Sequence, residues 1–194
     1  MEAVYNQTAG NPLFITEVVR FLDQEGGLTA GPPSSEWVGS IRIPEGVREV
    51  IGRRLNRLSQ GCNRVLTLAS VVGQQFTLDL LARLNQDLTR DQLEELLEEA
   101  ARARVIEETE VGRYRFTHAP VRETLRQELS LTRRVEFHAR IGEALEQLYG
   151  PAVQEHASEL SSELAHHFAQ AVTISGPQKL VQYSLLAGEW ALEH

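Results

Sequence analysis

Apolar residues recur along this chain at helical spacing, in stripes separated by short polar breaks. Phe14, Val18, Phe21 and Leu22 form the first stripe. A Gly10-Asn11-Pro12 turn precedes it, and Pro12 suits the first turn of a helix. Glu25-Gly26-Gly27 ends that helix. Residues 28–43 have the composition of a linker around Gly31-Pro32-Pro33-Ser34-Ser35, with a short extended stretch over 37–43. Pro44 then opens a helix carrying Val47, Val50, Ile51, Leu55 and Leu58. Residues 59–62 break the pattern, and Val65, Leu66, Leu68, Ala69 and Val72 make the next helix, ending at Gly73. Thr77 is placed to cap a third, with Leu80, Leu81 and Leu84 inward. Thr89 precedes Leu93, Leu96, Leu97 and Ala100 in a helix expected over 89–104, where Thr89 and Gln92 fit a capping box.

At Val105 the period changes from helix to strand. Residues 105–108 and 113–116 read as two strands around a turn at 109–112, where Gly112 is free to take positive φ. Three helices followed by a hairpin suggest a winged helix. His118 stands where the second strand meets the next helix, expected over 120–129. A longer helix over 132–149 is expected to bury Phe137, Ile141, Ala144, Leu145 and Leu148 and to stop at Gly150-Pro151. Helices over 157–171 and 178–192 close the chain around a Ser175-Gly176-Pro177 turn, with Ala165, Ala169 and Ala187 as small contact residues. Such a pair resembles one unit of a helical repeat. One unit cannot bury both its faces, so further repeats are expected to follow. The fold class is mainly α, a helical bundle with a small β-hairpin.

Composition narrows the function. Twenty-seven acidic against nineteen basic residues leave a net charge of −8, which gives no general attraction to nucleic acid or anionic membranes. No apolar run approaches the ~18 residues of a membrane span, and the N-terminus does not read as a signal peptide. Cys62 is the single cysteine, so no internal disulfide forms; a reducing, cytoplasmic setting is expected. Of the basic residues one is lysine, Lys179, and it lies between Gln178 and Leu180. A P-loop needs lysine in Gly-Lys-Ser/Thr to reach the nucleotide phosphates, so the chain carries no Walker A motif and is not expected to be an enzyme by itself. Met1 stands before what reads as the middle of a helical domain, and residues 192–194, Leu-Glu-His, match the start of many vector-encoded histidine tags. An excised piece of a longer protein is expected.

Three stretches carry a family resemblance: Thr8-Ala9-Gly10-Asn11-Pro12-Leu13-Phe14-Ile15-Thr16-Glu17, Ile43-Pro44-Glu45-Gly46-Val47-Arg48-Glu49-Val50-Ile51, and Arg115-Phe116-Thr117-His118. In their order and spacing they resemble the regulatory half of a STAND-type AAA+ ATPase. Such signalling ATPases occur in large LuxR-type transcriptional regulators, fused to adenylate or guanylate cyclases, and in some serine/threonine kinases. The resemblance implies that residues 1–30 end a helical lid, 31–43 are a linker, 44–130 a winged helix, and 131–194 lead into tetratricopeptide-like (TPR-like) repeats. A P-loop domain would lie upstream and bind ATP or ADP with Mg; the fragment itself would hold no cofactor. Pro12 would pack on the adenine, and His118 would approach the phosphate of ADP and hold the closed state. A signalling protein or ligand would act through the repeats. Read without the resemblance, Pro12 is an ordinary first-turn proline and His118 a helix cap or interdomain hydrogen-bonder. The physical case for His118 is its place beside helix N-terminal donors, which favour an anion.

Other chemistries are weaker. A DNA-reading winged helix is the alternative, but its third helix would carry Asp91, Glu94, Glu95, Glu98 and Glu99 against Arg90, Arg102 and Arg104, opposing phosphate attraction. Adjacent histidines His166 and His167 point about 100° apart on a helix, and there is no His-Glu-x-x-His or cysteine pair, so no metal site is expected. Nothing in the sequence places Cys62 beside His118 as a nucleophile pair, and Gly-x-Ser-x-Gly is absent.

Overall fold

A computed structural model describes residues 51–149 and 159–193. Pro12, the helix expected before residue 28, the linker expected over 31–43, Pro44, Val47, Val50 and the expected Gly150-Pro151 stop lie outside the described residues. Residues 51–55 are the end of a helix, with Ile51, Leu55 and Leu58 buried. The order thereafter is α1 (Gln60–Val72), β1 (Gln75–Thr77), α2 (Leu78–Leu84), α3 (Arg90–Arg102), β2 (Ile106–Glu110), β3 (Arg113–Phe116), α4 (Ala119–Gln127), α5 (Leu131–Tyr149), α6 (Glu159–Gln170), α7 (Val172–Ser175) and α8 (Pro177–Glu193). The described residues are mainly helical, with a three-stranded antiparallel sheet ordered β1-β3-β2.

The helix starts follow from side-chain caps. Ser59 accepts from the Cys62 amide (3.1 Å) and starts α1 three residues earlier than the apolar stripe indicates, so Cys62 lies inside the helix. Thr77 caps α2. Thr89 and Gln92 close a capping box on α3, each side chain accepting from the other's amide at 3.2 and 3.0 Å. Thr89→Ala leaves one of these donors without its acceptor and is expected to cost about 1 kcal/mol. Thermal unfolding checks it; an unchanged Tm would mean that the box contributes nothing.

The third helix ends at Arg102, not Arg104. The Arg104 and Val105 amides donate to the Ala101 and Ala100 carbonyls (2.9 and 3.0 Å), a Schellman closure with Arg104 at φ 55 where glycine is usual. A strand absent from the sequence reading, β1, pairs with β3: Gln75 faces Arg115 and Phe76 faces Tyr114. Three residues are too few for an alternating pattern to register. The hairpin is also tighter than expected. β2 runs to Glu110, a register shift falls between Glu108 and Glu110, and the turn reduces to Val111 and Gly112 (φ 72).

Side chains of β3 alternate. Tyr114 and Phe116 point inward, where the Phe76 ring lies 6.1 and 5.5 Å from theirs. One continuous core joins this sheet to Leu66, Leu81, Leu97, Leu125, Ile141 and Phe168. On α5, Ile141, Ala144 and Leu145 are buried as expected, but the face is rotated at its edges. His138, Ile141, Gly142 and Leu145 are buried, while Leu148 is 36 % exposed and Phe137 only partly covered. The face is turned toward α6, and the close approach is made by Gly142, where a Cβ would sit 2.9 Å from the Phe168 ring. Ala169 is exposed, so it is not a contact residue of the closing pair; Ala165 and Ala187 are partly covered. No helix among the described residues is long and apolar enough to cross a membrane.

Candidate functional site

His118 is the N-cap of α4, in extended backbone at φ −144 and ψ 133, and makes no side-chain cap bond. Its position is fixed from β3 and from the end of α3. The Thr117 amide donates to the Val105 carbonyl (3.1 Å), and the Thr117 hydroxyl lies 2.9 Å from the Arg104 carbonyl. Arg54 Nη1 reaches that same carbonyl at 3.5 Å. These groups line a cleft of about 650 Å³ with Ala101, Ile106, Glu107 and Glu108. The left-handed Arg104 stands in its wall.

The chemistry of the cleft is mixed. Arg54 and Arg104 supply positive charge; Glu107 and Glu108 oppose it, and Glu107 pairs with Arg115 across the hairpin. Burial lowers the His118 pKa, the Arg54 charge lowers it further, and Glu107 partly restores it. A neutral imidazole offers one donor and one acceptor. The helix terminus itself contributes little to an anion. Pro120 has no amide, and the Val121 amide already donates to the His118 carbonyl (3.1 Å).

The other chemistry-bearing residues are placed as follows. Cys62 is buried with its Sγ 3.3 Å from the Leu96 carbonyl, and burial followed by Glu99 pushes its thiol up to about 12, which removes it as a nucleophile. Glu99 is not a solvated helix carboxylate: it accepts from the Ser59 amide and hydroxyl at 2.5 and 2.7 Å. On α3, Asp91, Glu95 and Glu98 face solvent together with Arg90 and Arg102. Lys179 pairs with Glu146 at 2.5 Å and lies over the Phe168 ring, a packing role. His167 is buried and meets His138 from α5, a partner 29 residues away that no local sequence signal announces. Among the described residues no group of three His, Cys, Asp or Glu is arranged to hold a metal.

A second groove, of about 360 Å³, is lined by Arg83, Asp87, Arg140 and Gln147. Its arginines are engaged: Arg83 with Gln147, and Arg140 with the Leu84 carbonyl at 2.6 Å. No protein-family model, curated protein or solved structure matches the chain.

Proposed function

We propose that this chain is a non-catalytic regulatory module of a STAND-type AAA+ signalling ATPase, in which a winged helix latches a nucleotide-binding P-loop domain and controls a transcriptional, cyclase or kinase output. The observation that carries the reading is the element order α1-β1-α2-α3-β2-β3 with sheet order β1-β3-β2, followed at once by His118 at the mouth of a cleft. A helix, a short strand, two helices and a hairpin in that order support the winged-helix reading. The acidic solvent face of α3 favours a protein-facing latch over DNA reading.

In this reading ADP lies between the P-loop domain and the cleft, and neutral His118 donates to a phosphate oxygen. Pro12 packs on the adenine. ATP exchange, or a signal arriving through the helical repeats, releases the latch. An outward stripe of Val181, Leu185 and Leu192 on α8, 54 %, 61 % and 90 % exposed, supports a following repeat seated against it.

The test is His118→Ala in the longer protein that includes the P-loop domain. Loss of one hydrogen bond on the order of 1.4 kcal/mol is expected to speed ADP release about tenfold and to raise basal output. Wild-type ADP retention together with wild-type basal output would overturn the latch. So would the absence of a P-loop domain upstream in the same reading frame.

A further inference from the structure

Three histidines meet where α5 packs on α6. Their ring centroids lie 5.0 Å (His138–His167), 5.5 Å (His166–His167) and 5.7 Å (His138–His166) apart. His138 and His167 are buried, and their Nδ1 atoms are 2.8 Å from each other. At that distance one nitrogen carries the proton and the other keeps its lone pair. The Val72 carbonyl, in the last turn of α1, sets which is which. It accepts a hydrogen bond from His167. With Nδ1 turned toward His138, the donor in that bond is Nε2–H. A neutral imidazole has one N–H, so His167 Nδ1 is an acceptor and His138 Nδ1–H donates to it. One line of hydrogen bonds thus ties α5 to α6 and α6 to the end of α1.

This line crosses the joint of the molecule. α5 packs against α1 and α2, and also against α6 and α7, so it connects the helix–sheet body to the closing helices. The two rings respond differently to acid. A proton on His138 enters at Nε2 and leaves the Nδ1–H donor in place. A proton on His167 enters at Nδ1 and sets two N–H groups against each other across 2.8 Å. The hydrogen bond is then lost, and two like charges face each other in a buried seam.

The surroundings do not compensate those charges. Arg122 and Arg126 from α4 and Arg134 from α5 are cations facing the pair, and His166 from α6 is titratable. Glu123 on α4 answers Arg122 and Arg126. α1 contributes the Val72 carbonyl. Burial first, and then these neighbours, keep both imidazoles neutral at pH 7. The core around the sheet, at Leu66, Leu81, Leu97 and Phe116, is apolar and does not respond to the same protons. We propose that the His138–His167 hydrogen bond is a proton-operated clasp, whose double protonation releases α6–α8 from α5 while α1–α4 and the sheet stay folded.

Two measurements on the full chain test it. Ring nitrogen shifts at pH 7 are expected to show Nδ1–H on His138 and Nε2–H on His167; the reverse assignment would overturn the hydrogen-bond line. Amide exchange followed by NMR, corrected for its intrinsic pH dependence, gives opening constants for each helix. Between about pH 6 and pH 4 those of α6–α8 are expected to rise by up to about 100-fold per pH unit, because two protons are taken up on opening. At about pH 5 they are expected to exceed those of α1, α3 and β3 at least tenfold. His167→Gln keeps an acceptor for His138 and a donor for Val72 but does not titrate, so its slope falls to about tenfold per unit. Equal opening constants for α6–α8 and the body at every pH would overturn the clasp, as would an unchanged slope in folded His167→Gln.

Discussion

Phe116→Ala is expected to destabilise the protein by about 3–5 kcal/mol, the range for removing a fully buried aromatic ring. Phe116 is 1 % exposed and sits on β3, the central strand, so its ring lies where the sheet meets the helices. Phe76 packs against it at 5.5 Å, and Ile106 pairs with it across the hairpin. Truncation empties the space between β1, β2 and the core helices. The Phe116 amide donates to the Gln74 carbonyl and the Phe116 carbonyl accepts from the Gln74 side-chain amide, which limits how far the strand can collapse into the void. A domain of this size is stable by roughly 5–15 kcal/mol, so the loss is a substantial fraction of that margin. Urea denaturation measures the change. A loss under 1 kcal/mol would mean that the sheet is not packed on the helical core as described.

Acid is expected to weaken the α5–α6 seam well above the pH at which carboxylates titrate. Burial, then His166 and the neighbouring arginines, lowers His138 from 6.5 to about 4; burial, then His138 and His166, lowers His167 to about 3. Both folded-state values lie below the unfolded value, so the unfolded chain binds protons more readily. The stabilisation is therefore complete above pH 6.5 and is lost as pH falls from about 6.5 toward about 4. Binding the first proton costs the folded protein on the order of 3 kcal/mol relative to the unfolded chain. Stability measured between pH 7 and pH 4 reads this directly. The His138→Gln/His167→Gln double variant is expected to flatten the slope over that window. An equally steep slope in the double variant would place the acid sensitivity elsewhere.

Much of the helical framework was legible in the residue order because its signals are local. Thr77 and Thr89 mark helix starts, since a side chain three residues from its amide partner needs no distant neighbour. The stripes through Val65 and Leu66, Leu80 and Leu81, and Leu93 and Leu97 mark buried faces, since a 3.6-residue period is a property of one helix. Tyr114 and Phe116 betray β3 by alternation. The break expected over 59–62 ends at Ser59, which caps the next helix, because a polar residue between apolar stripes serves equally as an interruption or a start.

What depended on distant partners was not legible. β1 exists because β3 accepts it, and Gln75-Phe76-Thr77 has no pattern of its own. The buried face of α5 is set by where α6 lies, so Gly142 and His138 replace Leu148. His118 stood out in the sequence by its position at the strand–helix joint. Its cleft, with Arg54 and the left-handed Arg104, came from residues far along the chain. The sequence alone determined where helices begin, which residues are apolar, and that no P-loop lysine is present, because those are properties of neighbouring residues. Only the tertiary structure decided that His138 meets His167, because helix packing sets which faces meet and the chain order does not.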